Sequence, residues 1–138
     1  MSKTTAYIII GLFNILAFPA VIYAIYTAVA VHQGIRQGDE AIPLDTGTYY
    51  LLLLSIFWIF TIIEIAGRKG NGKSVQHWAG PLVLGWFIGG LALANIIPYW
   101  LEQSLTDAGY IPCHDPAEIS RVSRGESLIY QNRPCPAL

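Results

Sequence analysis

Three apolar runs alternate with polar stretches along the chain. Ala6 to Val31 passes 26 residues without a charge, Thr48 to Ala66 gives 19 more, and Gly80 to Leu101 closes the series. At 1.5 Å per residue each approaches or exceeds a hydrocarbon core of about 30 Å. The pattern predicts an all-α membrane protein with three transmembrane helices over 6–31, 48–66 and 80–101. The remaining polar segment, 102–138, forms a tail after the last span. Charged residues make up only 12% of the chain, against about 25% in soluble domains. The net charge of −1 and the lack of a long basic run argue against nucleic-acid binding.

Local features modulate the runs. Pro19 removes a backbone donor inside the first one and predicts a kink, while Asn14 offers a polar contact to a neighbouring helix. Ala28-Val29-Ala30 resembles a signal-peptide cleavage site. The apolar stretch before it is about twice the 7–15 residues of such signals, so a retained helix is expected. His32 reads as an interfacial histidine. Asp39, Glu40 and Asp45 make the first connection, 32–47, acidic. Tyr49 and Tyr50 resemble an interfacial aromatic belt. Glu64 precedes Arg68 by four residues, which puts both on one helical face as an ion pair at the membrane boundary. In the third run Pro81 falls near the expected start, where its missing donor costs little. Gly85 and Gly89 form a small-residue spacing continued by Gly90 and Ala94, expected to pack helices within the chain, with oligomerisation as the alternative. Asn95 adds a polar group. At 1.5 Å per residue, Asn14 and Asn95 lie about 12 and 22 Å from the inner face and Glu64 only a few, so no shared polar site is expected.

Gly67 to Ala79 carries Arg68, Lys69 and Lys73 and no acid. Its GRKGNGKS stretch matches the letters of a phosphate-binding loop, but that motif needs a preceding strand, and this one joins two membrane helices. Counting Lys and Arg puts Lys3, Arg68, Lys69 and Lys73 on one side and Arg36 on the other. The N-terminus is therefore expected inside, with the first connection and the tail extracytoplasmic.

The tail holds both cysteines, Cys113 and Cys135, 22 positions apart. In an oxidising space they are expected to be joined, without the CxxC spacing of zinc or redox sites. Closing that loop stabilises by about 3 kcal/mol in the chain-entropy model. Asp115-Pro116-Ala117-Glu118 has a helix-start pattern and predicts a helix to about Val122. Ser127 to Gln131 has a strand's composition. The tail has too few apolar residues for a core of its own and must lean on the first connection, the membrane surface or a partner. His114 lacks further metal ligands, and Ser120, Ser123 and Ser127 lack a base at motif spacing. No catalytic role, cofactor or metal is expected.

A short N-terminus, three spans, a basic inner loop and a cysteine-clipped tail resemble the small inner-membrane immunity proteins of Gram-negative bacteria. The tail run Gly109-Tyr110-Ile111-Pro112-Cys113 with Ser120, Ser123, Tyr130 and Cys135 prompts the comparison. The resemblance implies neutralisation, by binding, of a secreted or membrane-active toxin in the bacterial inner membrane. Asp39, Glu40, Asp45, Arg121, Arg124 and Tyr130 are the candidate partner-binding residues. The competing expectation is an accessory subunit of a larger membrane complex, packed through the third helix.

Overall fold

The computed structural model describes residues 3–68, 72–119 and 125–135. Two long helices, α1 (Lys3–Gln37) and α3 (Gly72–Asp107), flank a composite middle rod. That rod is a 3₁₀ segment, Thr46–Ser55, continued by α2 (Ile56–Ala66). All three rods are long and apolar enough to cross a membrane. The long 3₁₀ segment has a geometric consequence. Its steeper rise of about 2.0 Å per residue carries the middle rod about 36 Å, where the same residues in an α-helix would reach about 31 Å. The middle rod is thereby lengthened, although α1 and α3, with 35 and 36 residues, remain longer. Asp45 caps the segment, its Oδ1 accepting from the Gly47 amide at 3.0 Å.

Small residues set the helix packing. Ala17, Ala24 and Val31 are buried at intervals of seven along α1, the spacing of a packing seam. Phe13 stacks on Phe57 at 4.6 Å and Phe18 meets Trp58 at 5.0 Å, tying α1 to α2. Two sequence expectations change here. Helix α3 begins at Gly72, which places Pro81 inside it and leaves the His77 carbonyl without its usual donor. The first connection is also shorter than its polar composition suggests. Helix α1 runs on to Gln37, through Pro19 and the Ala28–Ala30 stretch, and ends at Gly38. Gly38 adopts φ 72°, and its amide donates to the Gly34 carbonyl at 2.9 Å, the left-handed stop that favours glycine.

The chain is mostly helical but not all-α. Strands β1 (Ala41–Asp45), β2 (Ile111–Ile119) and β3 (Glu126–Gln131) form an antiparallel sheet in the order β1-β3-β2. The expected helix over 115–122 is therefore corrected at 115–119, which belong to β2, while 120–122 lie outside the described residues. The capping pattern is a local preference, and two longer-range constraints override it. Cys113 is bonded to Cys135, with Cα atoms 5.6 Å apart. In addition, Cys113 and His114 pair with Ile129 and Leu128. The register then shifts before Ile119 pairs with Glu126, and this irregular edge accommodates Pro116. The strand expected at 127–131 forms as β3.

The principal core lies where the sheet sits on the helix ends. Val31 of α1, Ile42 and Leu44 of β1, Tyr49, Leu101 and Leu105 of α3, and Tyr130 of β3 pack together. β1 reads exposed-buried-exposed-buried from Ala41 to Leu44, so its inward residues are Ile42 and Leu44. Among the described residues, the buried tail tyrosines Tyr110 and Tyr130 belong to this one cluster. The tail thus shares a core with the first connection and with both long helices.

Candidate functional site: the lobe and the cleft along the first helix

The lobe is fixed to the helix ends by polar contacts as well as by its core. Tyr110 donates its hydroxyl to the Asp39 carbonyl at 2.8 Å. Arg133 pairs with Glu40 at 2.8 Å, joining the segment after β3 to the turn before β1. Thr46 Oγ1 donates to the Glu126 carbonyl at 3.1 Å and accepts from the Glu126 amide at 2.9 Å. Gly125 lies so close to Gly47 that a Cβ added there would meet the Gly47 nitrogen at 2.5 Å. The disulfide clamps the remaining edge.

Two adjoining hollows of about 310 Å³ each lie between α1 and β1. Both are lined by Tyr23, Thr27, Val31 and Pro43, so they form one cleft. One end reaches Asp39 and the other reaches Asp45, beside the hydroxyls of Thr48 and Ser127. Thr27 lies about 30 Å along α1 from Tyr7, one bilayer thickness away. Two of the sequence-derived partner residues, Asp39 and Asp45, therefore share a single feature. Glu40 is engaged by Arg133, and Tyr130 is buried beneath the sheet. Burial, together with the charges of Glu102 and Glu126, raises the Tyr130 pKa above the ordinary 10.0. Arg121 and Arg124 fall outside the described residues, as do Ser120 and Ser123.

The polar groups of the helices occupy three separate places. Asn14 donates to the Thr61 hydroxyl at 2.8 Å and to the Ile10 carbonyl at 2.7 Å. Asn95 accepts from the Tyr50 hydroxyl at 3.4 Å and donates to the Leu91 carbonyl at 2.7 Å. At the opposite end from the lobe, Arg68 lies 3.2 Å from Glu64 and stacks 4.4 Å over the Tyr7 ring. Tyr7 also donates to Glu64 at 3.2 Å. The Glu64 carboxylate, followed by Tyr7, raises the Arg68 pKa, so this exposed group stays a cation. His32 stacks against Trp100 at 6.4 Å. Among the described residues no three His, Cys, Asp or Glu groups are placed to hold a metal ion. The phosphate-loop letters follow helix α2, and their Gly72-Lys73-Ser74 begins α3.

Gly85 and Gly89 are placed on an open apolar groove of about 530 Å³, and a Cβ at either would meet nothing within 4 Å. The close helix approach inside the chain is at Gly90, where a Cβ would lie 2.8 Å from Leu53 Cδ2. Ser55 is a polar group on the groove wall, and its hydroxyl accepts from Trp86 Nε1 at 3.0 Å and donates to the Leu52 carbonyl at 2.6 Å.

Charge divides the molecule by its two ends. Every acidic residue except Glu64 falls within 32–47 or 102–138. Set against the four arginines of those segments, they give a formal charge of −4 there and +3 for the remainder, which together make the chain's −1.

Comparison with known protein families, with curated proteins and with solved structures finds no match for this chain.

Proposed function

We propose that this protein is an integral inner-membrane immunity protein, which neutralises a secreted or membrane-active bacterial toxin by binding it through the lobe. The observation that carries this reading is the charge division: a compact lobe built from segments of net charge −4 stands on the ends of three apolar helices, and the remainder of the chain carries +3. By the positive-inside rule the basic end faces the cytoplasm and the lobe faces the periplasm. There an acidic surface attracts a cationic partner and speeds its encounter. The disulfide and the shared core hold that surface in one shape, which lowers the ordering cost of binding.

The test is genetic. A strain lacking this gene, grown with its otherwise identical parent, is expected to lose viability and to regain it on complementation. Equal survival of the deletion strain in contact with its parent, with the toxin gene expressed, overturns the proposal.

The groove at Gly85 and Gly89 favours a second reading, an accessory subunit that receives a partner's helix in the membrane. Small residues let helix backbones approach closely, and this face is open. Under that reading Gly89→Leu releases a co-purifying chain, and lobe substitutions do not.

A further inference from the structure

We infer that the hollow between α1 and β1 that ends at Asp39 is a lipid site, and that its occupant is a lipid of the leaflet beside the lobe whose headgroup ends in a primary ammonium, as in phosphatidylethanolamine. This goes beyond the neutralisation of a toxin and rests on the helices spanning a bilayer with the lobe at its surface.

The lining is amphipathic along its length. Tyr23, Tyr26 and Val31 of α1, with Ile42 and Pro43 of β1, give it apolar walls. Asp39 stands at the end where α1 stops. Its amide donates to the Gly34 carbonyl at 3.0 Å and its carbonyl accepts from the Tyr110 hydroxyl at 2.8 Å, so the residue is fixed in place. A Cβ added to Gly34 would meet Asp39 Oδ2 at 3.1 Å, so the missing side chain lets the carboxylate lie against the helix. That position is also the negative end of the α1 macrodipole, which favours a cation. Arg36, the basic residue of the last turn, is about 200° around the helix from Gly34 and turns away from the hollow.

Depth decides the class of ligand. With Tyr7 at the basic boundary, a hydrocarbon core of about 30 Å ends near Thr27. Tyr23 then lies about 6 Å inside that boundary and Gly34 about 10 Å outside it. The hollow therefore runs from the acyl region into the headgroup layer, with its carboxylate on the wet side. A free amine or a basic peptide has nothing to place along the apolar part, whereas one lipid fills both. A primary ammonium donates hydrogen bonds to a carboxylate, and a trimethylammonium has no N–H to give. Anionic headgroups are repelled by Asp39 and by the helix end.

The test is native mass spectrometry of the full chain with equimolar phosphatidylethanolamine and phosphatidylcholine of identical acyl chains, which cancels the contribution of the tails. The wild type is expected to retain the first about fivefold over the second, the upper range for one exposed ion pair. Asp39→Asn is expected to bring the ratio to within about twofold of one. Ala30→Phe, which narrows the hollow without changing charge, is expected to lower retention of both lipids. Asp107→Asn, outside the hollow, is expected to keep the wild-type ratio.

Equal retention of the two lipids by the wild type would overturn the site. So would a preference that survives Asp39→Asn, which would place the ammonium elsewhere, or one lost equally in Asp107→Asn, which would make the attraction diffuse. Displacement by free ethanolamine would assign the site to a soluble amine and overturn the lipid. Toxin neutralisation is tested separately, in co-culture: a chain that keeps the lipid preference and gives no protection loses the immunity function alone. A chain removed from membranes by alkaline extraction loses both.

Discussion

Tyr130 is a side chain whose chemistry depends on the lobe being folded. Its hydroxyl is neutral in the packed lobe, and burial, aided by Glu102 and Glu126, holds its pKa above the ordinary 10.0. The unfolded chain gives up that proton first, so this contribution to stability is fully present below about pH 10 and is lost as pH rises beyond it. Thermal unfolding of the lobe should show a falling midpoint above pH 10, and Tyr130→Phe should flatten that part of the curve. Gly125 gives a second test. Its backbone touches that of Gly47, so Gly125→Ala must push two segments apart. We expect a loss of about 1–3 kcal/mol, measured as lower protease resistance of the lobe. In the helices, Asn14→Ala removes the bond to Thr61, for an expected cost of about 0.6–1.7 kcal/mol. Reversible unfolding in bicelles measures that loss.

Elements were legible in the sequence where one strong signal governed them, and obscure where two competed. The three apolar rods follow from hydropathy alone. The 3₁₀ geometry of Thr46–Ser55 does not, because a run of leucines suits either helix type; the segment packs between α1 and α3. β1 had a readable alternation in Ile42 and Leu44, masked by Pro43 and by the acids around it. β2 carried a misleading helix-start pattern at Asp115 and Pro116, which the disulfide and the pairing with β3 overrule. The candidate site divides in the same way. Asp39 and Asp45 stood out by charge, whereas Thr27 and Ser127 gained their place only when β1 was laid along α1. Their separation in sequence hides that. The tail's dependence on the first connection was readable from its few apolar residues, and it takes the form of a shared sheet. The disulfide acts on this same element. Replacing Cys113 and Cys135 by serine should cost the lobe about 3 kcal/mol. Proteolysis in spheroplasts should then cut the tail faster while the spans remain inserted. Unchanged cleavage would contradict a structural role for the bond.

At the scale of the whole molecule, two ends of opposite charge are joined by three apolar rods. The basic end is closed by the Tyr7, Glu64 and Arg68 cluster, which ties the start of α1 to the end of α2. The acidic end carries the lobe, whose core includes residues from both long helices, so lobe and helices form one structural unit. Recognition at the lobe should therefore depend on its charge and tolerate changes at the basic end. The most direct measurement is the survival of a deletion strain, in contact with its toxin-producing parent, when complemented with Asp39→Asn, Glu40→Gln and Asp45→Asn combined. This variant is expected to reach normal membrane levels and to lose protection, with protection retained by Glu64→Gln. Full protection by the neutralised lobe, at normal levels in the membrane, would contradict recognition through the lobe's charge.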